Sequence, residues 1–330
     1  MPLIGSLTSG VSALEAFTQG MDVIGDNISN VNTTGFKGST VNYADAFADV
    51  LQNSAPSPSS GNGSDTPTMQ VGEGVSVQSV LQNFNQGTLS STGQPTDFAI
   101  NGNGFFTVRD SSGGQTYATR AGNFRIDDQG YLVTAQGYRV QGLNDGSATM
   151  TASVVNGQLT YSVTSTTPPA TVGDLQVNTG LSTASGTLVN NTGGAFTDAQ
   201  VDADAPSISG FSLDSSGNIV LNLSNGDNMT RGTVLLQNYQ DPNALVRDPG
   251  NVYSNLQTAN PIGGLALSQQ NNTPNSNGLG QVEQGSLELS NVDLTSEFSN
   301  LINTERSFQA GSRVITTSDQ ILQEVVNLIH

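Results

Sequence analysis

Residues 287–329 read LELSNVDLTSEFSNLINTERSFQAGSRVITTSDQILQEVVNLI, and an apolar residue recurs in this stretch at every seventh position. The repeat consists of Leu287, Leu294, Leu301, Phe308, Ile315, Leu322 and Ile329, and it is widened by Phe298, Ile302, Val325, Val326 and Leu328. From about Asn291 onward the stretch has no proline and a single glycine, Gly311. The period of seven predicts an amphipathic helix of coiled-coil type, roughly 57 Å long from Asn291 to Ile329.

The first 31 residues carry the same pattern in a shorter form. The apolar seam consists of Ile4, Leu7, Val11, Leu14, Met21 and Ile28, flanked by Phe17, Ile24 and Val31. Pro2 lies where the first turn of a helix tolerates proline, and Asn30, Asn32 and Gly35 are typical of a helix end. The sequence therefore predicts a second amphipathic helix, of about 26 residues, at the amino end.

Long helices at both ends of a chain are unusual, because chain ends are often poorly ordered and helices average about 11–12 residues. One interpretation is that each is an ordinary long helix on its own core. The other is that the two helices pair as a coiled coil, which then packs against further copies of the chain. The subunit interface would then consist of Ile4, Leu7, Val11, Leu14, Met21, Ile28, Leu294, Leu301, Phe308, Ile315, Leu322 and Ile329. We expect these helices to be largely disordered in a monomer, because the stripes have too little to bury against.

The chain between the helices is predicted to be β-structure. Short alternating runs such as Phe98–Ile100 and Phe105–Val108 are separated by turns of Gly, Asn and Asp. Residues 145–230 contain seven Asp, no Glu and no basic residue, which indicates an inserted domain with an acidic, solvated surface. We predict an α+β fold with two mainly antiparallel β domains. Its parts are a terminal helical coiled coil (1–31 with 288–330), an inner β domain (32–144 with 231–287) and an inserted outer β domain (145–230).

The charge balance argues against two classes of partner. Nine basic residues stand against 27 acidic ones, which gives a formal net charge of -18. Nucleic acids and anionic membrane surfaces both require clustered Lys and Arg, so we expect neither as a partner. No apolar run reaches the roughly 18 residues that a transmembrane helix needs, so we expect no membrane insertion.

The sequence contains little that could support catalysis. There is no cysteine and the one histidine is His330, so thiol and imidazole chemistry and Cys/His metal sites are nearly excluded. Phosphate-binding, zinc-protease and serine-hydrolase motifs are absent. Asp202 and Asp204 could hold a cation, but an exposed turn is the simpler interpretation. We therefore predict no catalytic residue, no cofactor and no metal, and a protein that is not an enzyme.

Three parts of the chain resemble one family. Asn27–Lys37 (NISNVNTTGFK) resembles the amino-terminal signature of the flagellar axial proteins, which are the rod, hook and hook-associated proteins. Glu283–Leu294 (EQGSLELSNVDL) resembles their carboxy-terminal domain, and Phe98–Phe106 (FAINGNGFF) with Arg120–Phe124 (RAGNF) resembles the β part of the rod and hook members. The signature residues are Asn27, Asn30, Asn32, Thr33, Gly35, Phe36, Lys37, Gly102, Gly104, Phe105, Phe106, Asn291 and Val292.

The signature residues from Asn30 to Lys37 have two overlapping interpretations. In the first, they form a joint where the chain turns from the helix to the β layer and contacts neighbouring subunits. Gly35 would permit a positive φ there, and Phe36 would anchor the turn. In the second, they form a plain helix end with a buried phenylalanine.

The resemblance implies a structural protein whose copies stack into a hollow helical tube, with the terminal helices lining the channel and the β domains outside. Tyr138–Leu143 (YRVQGL) and the acidic segment after it resemble the hook members, which form the flexible joint that transmits motor torque from rod to filament. A distal rod protein is the alternative within the family. A secreted adhesin or cap-like protein stays open as a different class.

The resemblance also implies partners and a location. The partners would be further copies of this chain, a rod protein at the base, and the hook cap and hook–filament junction proteins at the tip. Export would use the flagellar type III apparatus, which reads no cleaved signal. This agrees with the first basic residue being Lys37, with no compact apolar block before it. The protein would then lie in the basal body and hook, outside the cell.

Overall fold

The computed structural model describes residues 2–54, 67–112, 114–144, 149–155, 158–164, 171–177, 183–184 and 206–329. This part of the chain divides into two units. The first, here called the helical unit, comprises Met1–Val31, Lys37–Phe84 and Val292–His330. The second, here called the β unit, comprises Asn32–Phe36 and Asn85–Asn291.

The described residues form three α-helices and one short 3-10 helix. These are α1 (Pro2–Ser29), α2 (Gln269–Asn272), α3 (Leu294–Ile329) and the 3-10 helix at Pro242–Ala244. The helix predicted from about Asn291 begins at Leu294 because Asp293 caps it. The Asp293 carboxylate accepts hydrogen bonds from the backbone N–H groups of Thr295 (2.8 Å) and Ser296 (3.2 Å).

In the helical unit, α1 and α3 pack against each other in antiparallel directions. Ser6 and Ser318 share a hydrogen bond between their hydroxyls (3.1 Å). Nearer the middle of the pair, a methyl group on Gly10 would lie 2.7 Å from Ile315 Cγ1. A methyl group on Gly311 would lie 3.5 Å from Leu14 Cδ2. Small residues therefore bring the two helices close together.

Four strands complete the helical unit. They are β1 (Ser39–Asp45), β2 (Ala48–Gln52), β3 (Met69–Gly72) and β4 (Val75–Gln82). β1 pairs with β4 and β2 with β3, both antiparallel. The Phe17 ring of α1 meets the Tyr43 ring of β1 edge to face, with centroids 5.8 Å apart. The ribbon formed by β1 and β4 therefore covers part of α1.

The β unit contains the remaining strands. They are β5 (Leu89–Ser91), β6 (Phe98–Asn101), β7 (Phe105–Arg109), β8 (Thr116–Thr119), β9 (Arg125–Ile126), β10 (Leu132–Val133), β11 (Arg139–Asn144), β12 (Thr149–Val155), β13 (Gln158–Thr164), β14 (Thr171–Asp174), β15 (Thr183–Ala184), β16 (Ile208–Leu213), β17 (Asn218–Leu223), β18 (Asn228–Val234), β19 (Leu236–Gln237), β20 (Val246–Asp248), β21 (Val252–Ser254), β22 (Gln281–Gln284) and β23 (Ser286–Glu288).

A 12-stranded sheet forms the centre of the β unit. Its main path runs β16-β17-β18-β11-β7-β8-β21-β20, and β9, β10, β14 and β19 attach to it. Its apolar side chains pack with those of β6 and with Leu175, which follows β14, in one buried core. This core includes Phe98, Ile100, Phe106, Leu132, Val140, Leu175, Ile219, Leu221 and Met229. β12, β13 and β15 form a separate three-stranded sheet. β6 pairs with β22, and β5 pairs with β23.

The predicted α+β class is confirmed, with helices at both ends and mainly antiparallel strands between them. Within the described residues, only β12 and β15 pair in parallel. Residues 208–230, assigned by sequence to the outer domain, contribute β16, β17 and part of β18 to the large sheet beside β11. Lys37–Phe84, assigned to the inner β domain, groups with the helices. The division into three domains stays a prediction.

Candidate assembly site

The helix pair carries the residues predicted for subunit contacts. Those that are half-buried are Leu7, Leu14, Met21, Ile28, Leu301, Phe308, Ile315 and Leu322. Val11 and Leu294 are exposed, and the side chains of Ile4 and Ile329 lie outside the described residues. The fully buried positions of α1 and α3 are mostly small: Gly10, Ala16, Gly20, Gly311 and Ser318. The seven-residue repeat of large apolar side chains did not indicate these small residues. On α1 they recur, together with the partly buried Ala13, every three or four positions from Gly10 to Gly20.

A second set of apolar side chains on α3 is not covered within the chain. Phe298 and Ile302 lie near the start of the helix, and Ile321, Val325 and Leu328 lie near its end. Each is between 40% and 83% exposed. Exposed apolar groups on two long helices are typical of a surface that is buried in an assembly.

The turn after α1 is built around Gly35. Its φ is 67°, and its backbone N–H donates to the Glu288 carbonyl (2.7 Å). A Cβ at this position would lie 2.6 Å from the carbonyl carbon of Arg120. Phe36 is buried, and the Arg247 guanidinium lies 4.9 Å from the centre of its ring. Both the backbone angle and the close approach of Arg120 require glycine at position 35.

A buried ion pair lies beside this turn. Arg120 Nη1 and Glu288 Oε2 are 3.2 Å apart, and their side chains are 4% and 0% exposed. Arg120 Nη2 also donates to the Gly102 carbonyl (2.9 Å), and Glu288 Oε1 accepts from the Gly87 N–H (2.8 Å). Burial lowers the pKa of Arg120, and the charge and hydrogen bond of Glu288 oppose that shift. We call Gly35, Arg120, Glu288 and Gly102 the signature node, because it joins the three segments of the family resemblance.

The FAINGNGFF segment enters the node through Gly102, and a second glycine, Gly104, follows two residues later. Gly102 and Gly104 have φ of 115° and 124°. A Cβ at Gly102 would lie 2.9 Å from the Cα of Gly280. Phe105 and Phe106 are buried directly after them. Here the signature residues build the interior of the β unit.

The other signature residues shape the chain on either side. The Asn27 side chain donates to the Ser39 carbonyl (2.7 Å) and accepts from the Ser39 N–H (2.8 Å). Lys37 is only 1% exposed, which its residue type did not predict. Of the remaining members, Asn32 is exposed. The others are partly buried: Asn30, Thr33, Asn291 and Val292. Their role in contacts between copies stays a prediction.

A second charged cluster lies where β11 pairs with β14. Arg109, Arg139 and Gln141 all donate to the Asp174 carboxylate, with distances of 3.1 Å from Arg139 Nη1 and 2.7 Å from Gln141 Nε2. Burial alone would raise the pKa of Asp174. The hydrogen bonds from Gln141, Arg139 and Arg109 outweigh burial, and the pKa lies below its usual value.

The geometry offers no evident centre for chemistry. Over the residues that the structure describes, no group of three or more His, Asp or Glu side chains could hold a metal ion. Asp202 and Asp204 lie outside those residues. No described helix is both long and apolar enough to cross a membrane.

Three family models match the chain. They are described as flagella basal body rod protein (residues 7–37), flagellar hook protein FlgE/F/G D1 domain (99–221) and flagellar basal body rod FlgEFG protein C-terminal (283–328). The chain is 32% identical to the flagellar basal-body rod protein FlgG of Bacillus subtilis over 326 residues, covering 99% of each chain. It is 28% identical to the flagellar hook protein FlgE of Salmonella typhimurium over 428 residues, covering 98% of this chain and 100% of that one. The crystal structure of Helicobacter pylori flagellar hook protein FlgE2 matches with a TM-score of 0.36 and 10% identity, over 60% of this chain and 100% of that one.

Proposed function

Because this chain belongs to the family of flagellar hook and basal-body rod proteins, we propose that it is a hook subunit that assembles with its own copies into a hollow helical tube. The family is structural, so the chain is a component of the flagellar basal body or hook and not an enzyme. The observation that carries the proposal of self-assembly is the uncovered apolar surface of the terminal helices, which include Phe298, Ile302 and Leu328.

Two features support a flexible hook over a rigid rod. Only 11% of the residues are charged, so the chain has few side chains with which ion pairs between neighbouring copies could fix one register. The chain also carries β12, β13 and β15 as a sheet apart from the large one. A small extra sheet on each subunit can shift against its neighbours when a tube bends.

One observation favours a distal rod protein as the second candidate. The alignment to FlgG of Bacillus subtilis spans 326 residues, close to the 330 of this chain. The alignment to FlgE of Salmonella typhimurium needs 428. That hook protein therefore has a substantial length of chain with no counterpart here.

The proposed partners follow from a place in the hook. They are a rod protein at the base and the hook cap and hook–filament junction proteins at the tip. We also propose that the chain leaves the cell through the flagellar type III export apparatus. A distal rod subunit would instead contact other rod proteins and the base of the hook.

Electron microscopy can separate the two candidates. The gene is deleted, and basal bodies are purified and imaged beside those of the wild type. A hook subunit predicts complete rods with no hook, whereas a distal rod subunit predicts shortened rods. Purified protein is polymerised in parallel, and curved tubes are expected of a hook subunit. Normal rods with normal hooks in the deletion strain would contradict both candidates.

A further inference from the structure

We propose that the β unit binds a neutral saccharide in a cavity of about 370 Å³, here called the β-unit cavity. The cavity lies on the face of the large sheet that is turned away from the main core. Its lining combines two buried hydroxyl groups, a wall of apolar side chains and no charge among the described residues. The site does not depend on the proposed self-assembly, because it lies within a single copy.

The floor of the β-unit cavity is built on β7. Phe106 and Val108 belong to the main core, so Thr107 between them points to the opposite face of the sheet. Phe105 points to that face as well, and its ring meets the ring of Tyr239 edge to face, with centroids 5.6 Å apart. Thr107 and Tyr239 both line the cavity.

The two hydroxyl groups on this floor are not used by the fold. Thr107 is 4% exposed and Tyr239 is 3% exposed. Among the described residues, neither hydroxyl has a hydrogen-bond partner. Burial raises the pKa of the Tyr239 phenol, so this group stays protonated and able to donate at neutral pH. Because a buried hydroxyl without a partner is unfavourable, both groups favour a molecule in the cavity that donates and accepts hydrogen bonds.

A loop, residues 255–267, closes one side of the cavity. Its apolar side chains form a wall there: Leu256, Pro261, Leu265 and Leu267. The loop is fixed to the neighbouring strand, since the Ile262 N–H donates to the Asn238 carbonyl (2.9 Å) and Gln237 Nε2 donates to the Ile262 carbonyl (2.9 Å). The wall is therefore formed before a ligand arrives, which lowers the entropic cost of binding.

This lining selects the chemical class of the ligand. None of the described residues around the cavity is charged, so an ionised ligand would have no counter-charge. A purely apolar ligand would leave both floor hydroxyls unpaired. A sugar ring carries hydroxyl groups around its edge and C–H groups on its faces, which matches a polar floor beside an apolar wall. The volume is at the small end of the range for ligand pockets, which suits a monosaccharide or disaccharide.

A peptide fits this cavity less well. One common way to bind an extended peptide is to add its backbone to a free sheet edge. The strands under the cavity are already paired, β7 with β8 and with β19. The cavity therefore offers side chains and not a row of free backbone groups. Its rim includes the exposed residues Gln115 and Gln257, whose amides can bond to further hydroxyls of a sugar.

Saturation-transfer NMR on the full, unpolymerised chain tests the class of ligand. The neutral probes are glucose, galactose and N-acetylglucosamine, and the charged probes are glucuronate and galacturonate. High salt screens the net charge of -18, which would otherwise repel the acids from the whole surface. We expect at least one neutral sugar to bind at least about tenfold more tightly than either acid.

Single-hydroxyl variants test the location. Tyr239→Phe and Thr107→Val should each weaken binding of the neutral sugar at least about fivefold, because each removes one hydrogen bond to it. Tyr253→Phe is the matched control. Tyr253 also meets the Phe105 ring edge to face (centroids 5.9 Å apart) but does not line the cavity, so binding should stay within about twofold of the wild type.

Melting temperatures separate lost binding from lost folding. Without sugar, Tyr239→Phe should melt no lower than the wild type, because its phenol has no partner to lose among the described residues. With saturating sugar the wild type should gain stability, and the variant should gain less at the same concentration. A lower melting temperature of the sugar-free variant would mean that the phenol is already bonded within the chain, which contradicts the proposal.

The source of the saccharide is read from a second assay. The protein is sedimented with insoluble cellulose, galactan or chitin, which carry the same sugars as polymers. Co-sedimentation that Tyr239→Phe abolishes identifies a polysaccharide, whereas binding of free sugar alone identifies a small soluble ligand. If no neutral sugar binds, if the acids bind equally well, or if Tyr239→Phe binds like the wild type, the saccharide site is wrong. Formation of tubes is a separate measurement, and its success or failure leaves this result unchanged.

Discussion

Gly35 is a position where backbone angle and packing impose the same residue. Its φ of 67° is energetically unfavourable for residues that carry a side chain. The backbone of Arg120 also lies too close to the place where a Cβ would be. Gly93 has nearly the same φ, 70°, but a methyl group placed on it would meet no heavy atom within 4 Å beyond its chain neighbours. Substitutions at Gly35 and Gly93 therefore separate the free-energy cost of the backbone angle from that of the steric clash.

We expect Gly35→Ala to destabilise the protein far more than Gly93→Ala. The angle alone should cost about 1 kcal/mol in both variants. The clash with backbone atoms at Gly35 should bring the total there to about 3 kcal/mol or more, because a backbone cannot rotate away as a side chain can. Thermal and urea unfolding would measure the difference. Equal losses in the two variants would show that the Arg120 backbone yields to the methyl group.

The ion pair of Arg120 and Glu288 is costly to break because both groups are buried. Arg120→Met should lower the free energy of unfolding by about 3–5 kcal/mol, because it leaves the Glu288 carboxylate without its cation. Adding Glu288→Gln should recover part of the loss by removing that charge. Arg109→Met is the control: Arg109 is 38% exposed, and its loss should cost about 1 kcal/mol or less. Unfolding curves of the four proteins test the order.

Asp174 links stability to pH. Because its pKa is lowered in the folded protein, the unfolded state binds more protons near pH 4, and stability falls as pH drops. The stabilisation is present above the usual Asp pKa of about 3.9 and disappears below the folded value. Asp174→Asn should therefore be less stable than wild type at pH 7, with the gap narrowing under acid conditions. Melting temperatures at several pH values measure it, and a constant gap would contradict the assignment.

At the scale of elements, the two terminal helices could be predicted from the period of apolar residues alone. Their packing could not, because the heptad positions such as Leu14 and Phe308 are only half-buried while Gly10 and Gly311 lie in the seam. A periodic pattern records which face is apolar and not which partner covers it. The burial of Lys37 could not be predicted from the sequence either, because a lysine is almost never fully buried unless it is paired.

The limited burial in this seam supports the expectation that the helices are disordered in a monomer. Small residues contribute little apolar area, and the larger side chains stay partly in water. Hydrogen/deuterium exchange on unpolymerised protein should show fast exchange across α1 and α3 and slow exchange in β6 and β7. On polymerisation the helices should become protected. Strong protection of Leu7–Ile28 and Leu294–Leu322 before polymerisation would contradict this expectation.

At the scale of the whole molecule, the acidic stretch 145–230 predicted a separate domain, and the strand pairing divides it. Residues 208–230 contribute β16, β17 and part of β18 to the large sheet, with Ile219 and Leu221 in its core. Leu175 and Val177, after β14, are also in that core. Composition cannot distinguish these strands from β12 and β13, because non-local pairing and not residue type decides which sheet a strand joins.

The pairing of β11 with β14 offers a clean way to test what the small sheet does. Asn144 and Thr171 are opposite each other in that ladder, so a short Asn-Gly turn can replace residues 145–170 and remove β12 and β13. We expect this variant to fold and to form tubes, because the core of the large sheet is intact. Its tubes should differ in curvature from those of the wild type in electron micrographs. Deletion of 145–230 should instead abolish folding, since it removes Leu175, Ile219 and Leu221 from the core. If the turn variant folds, by circular dichroism, but forms no tubes, then the small sheet is required for assembly itself and not for bending.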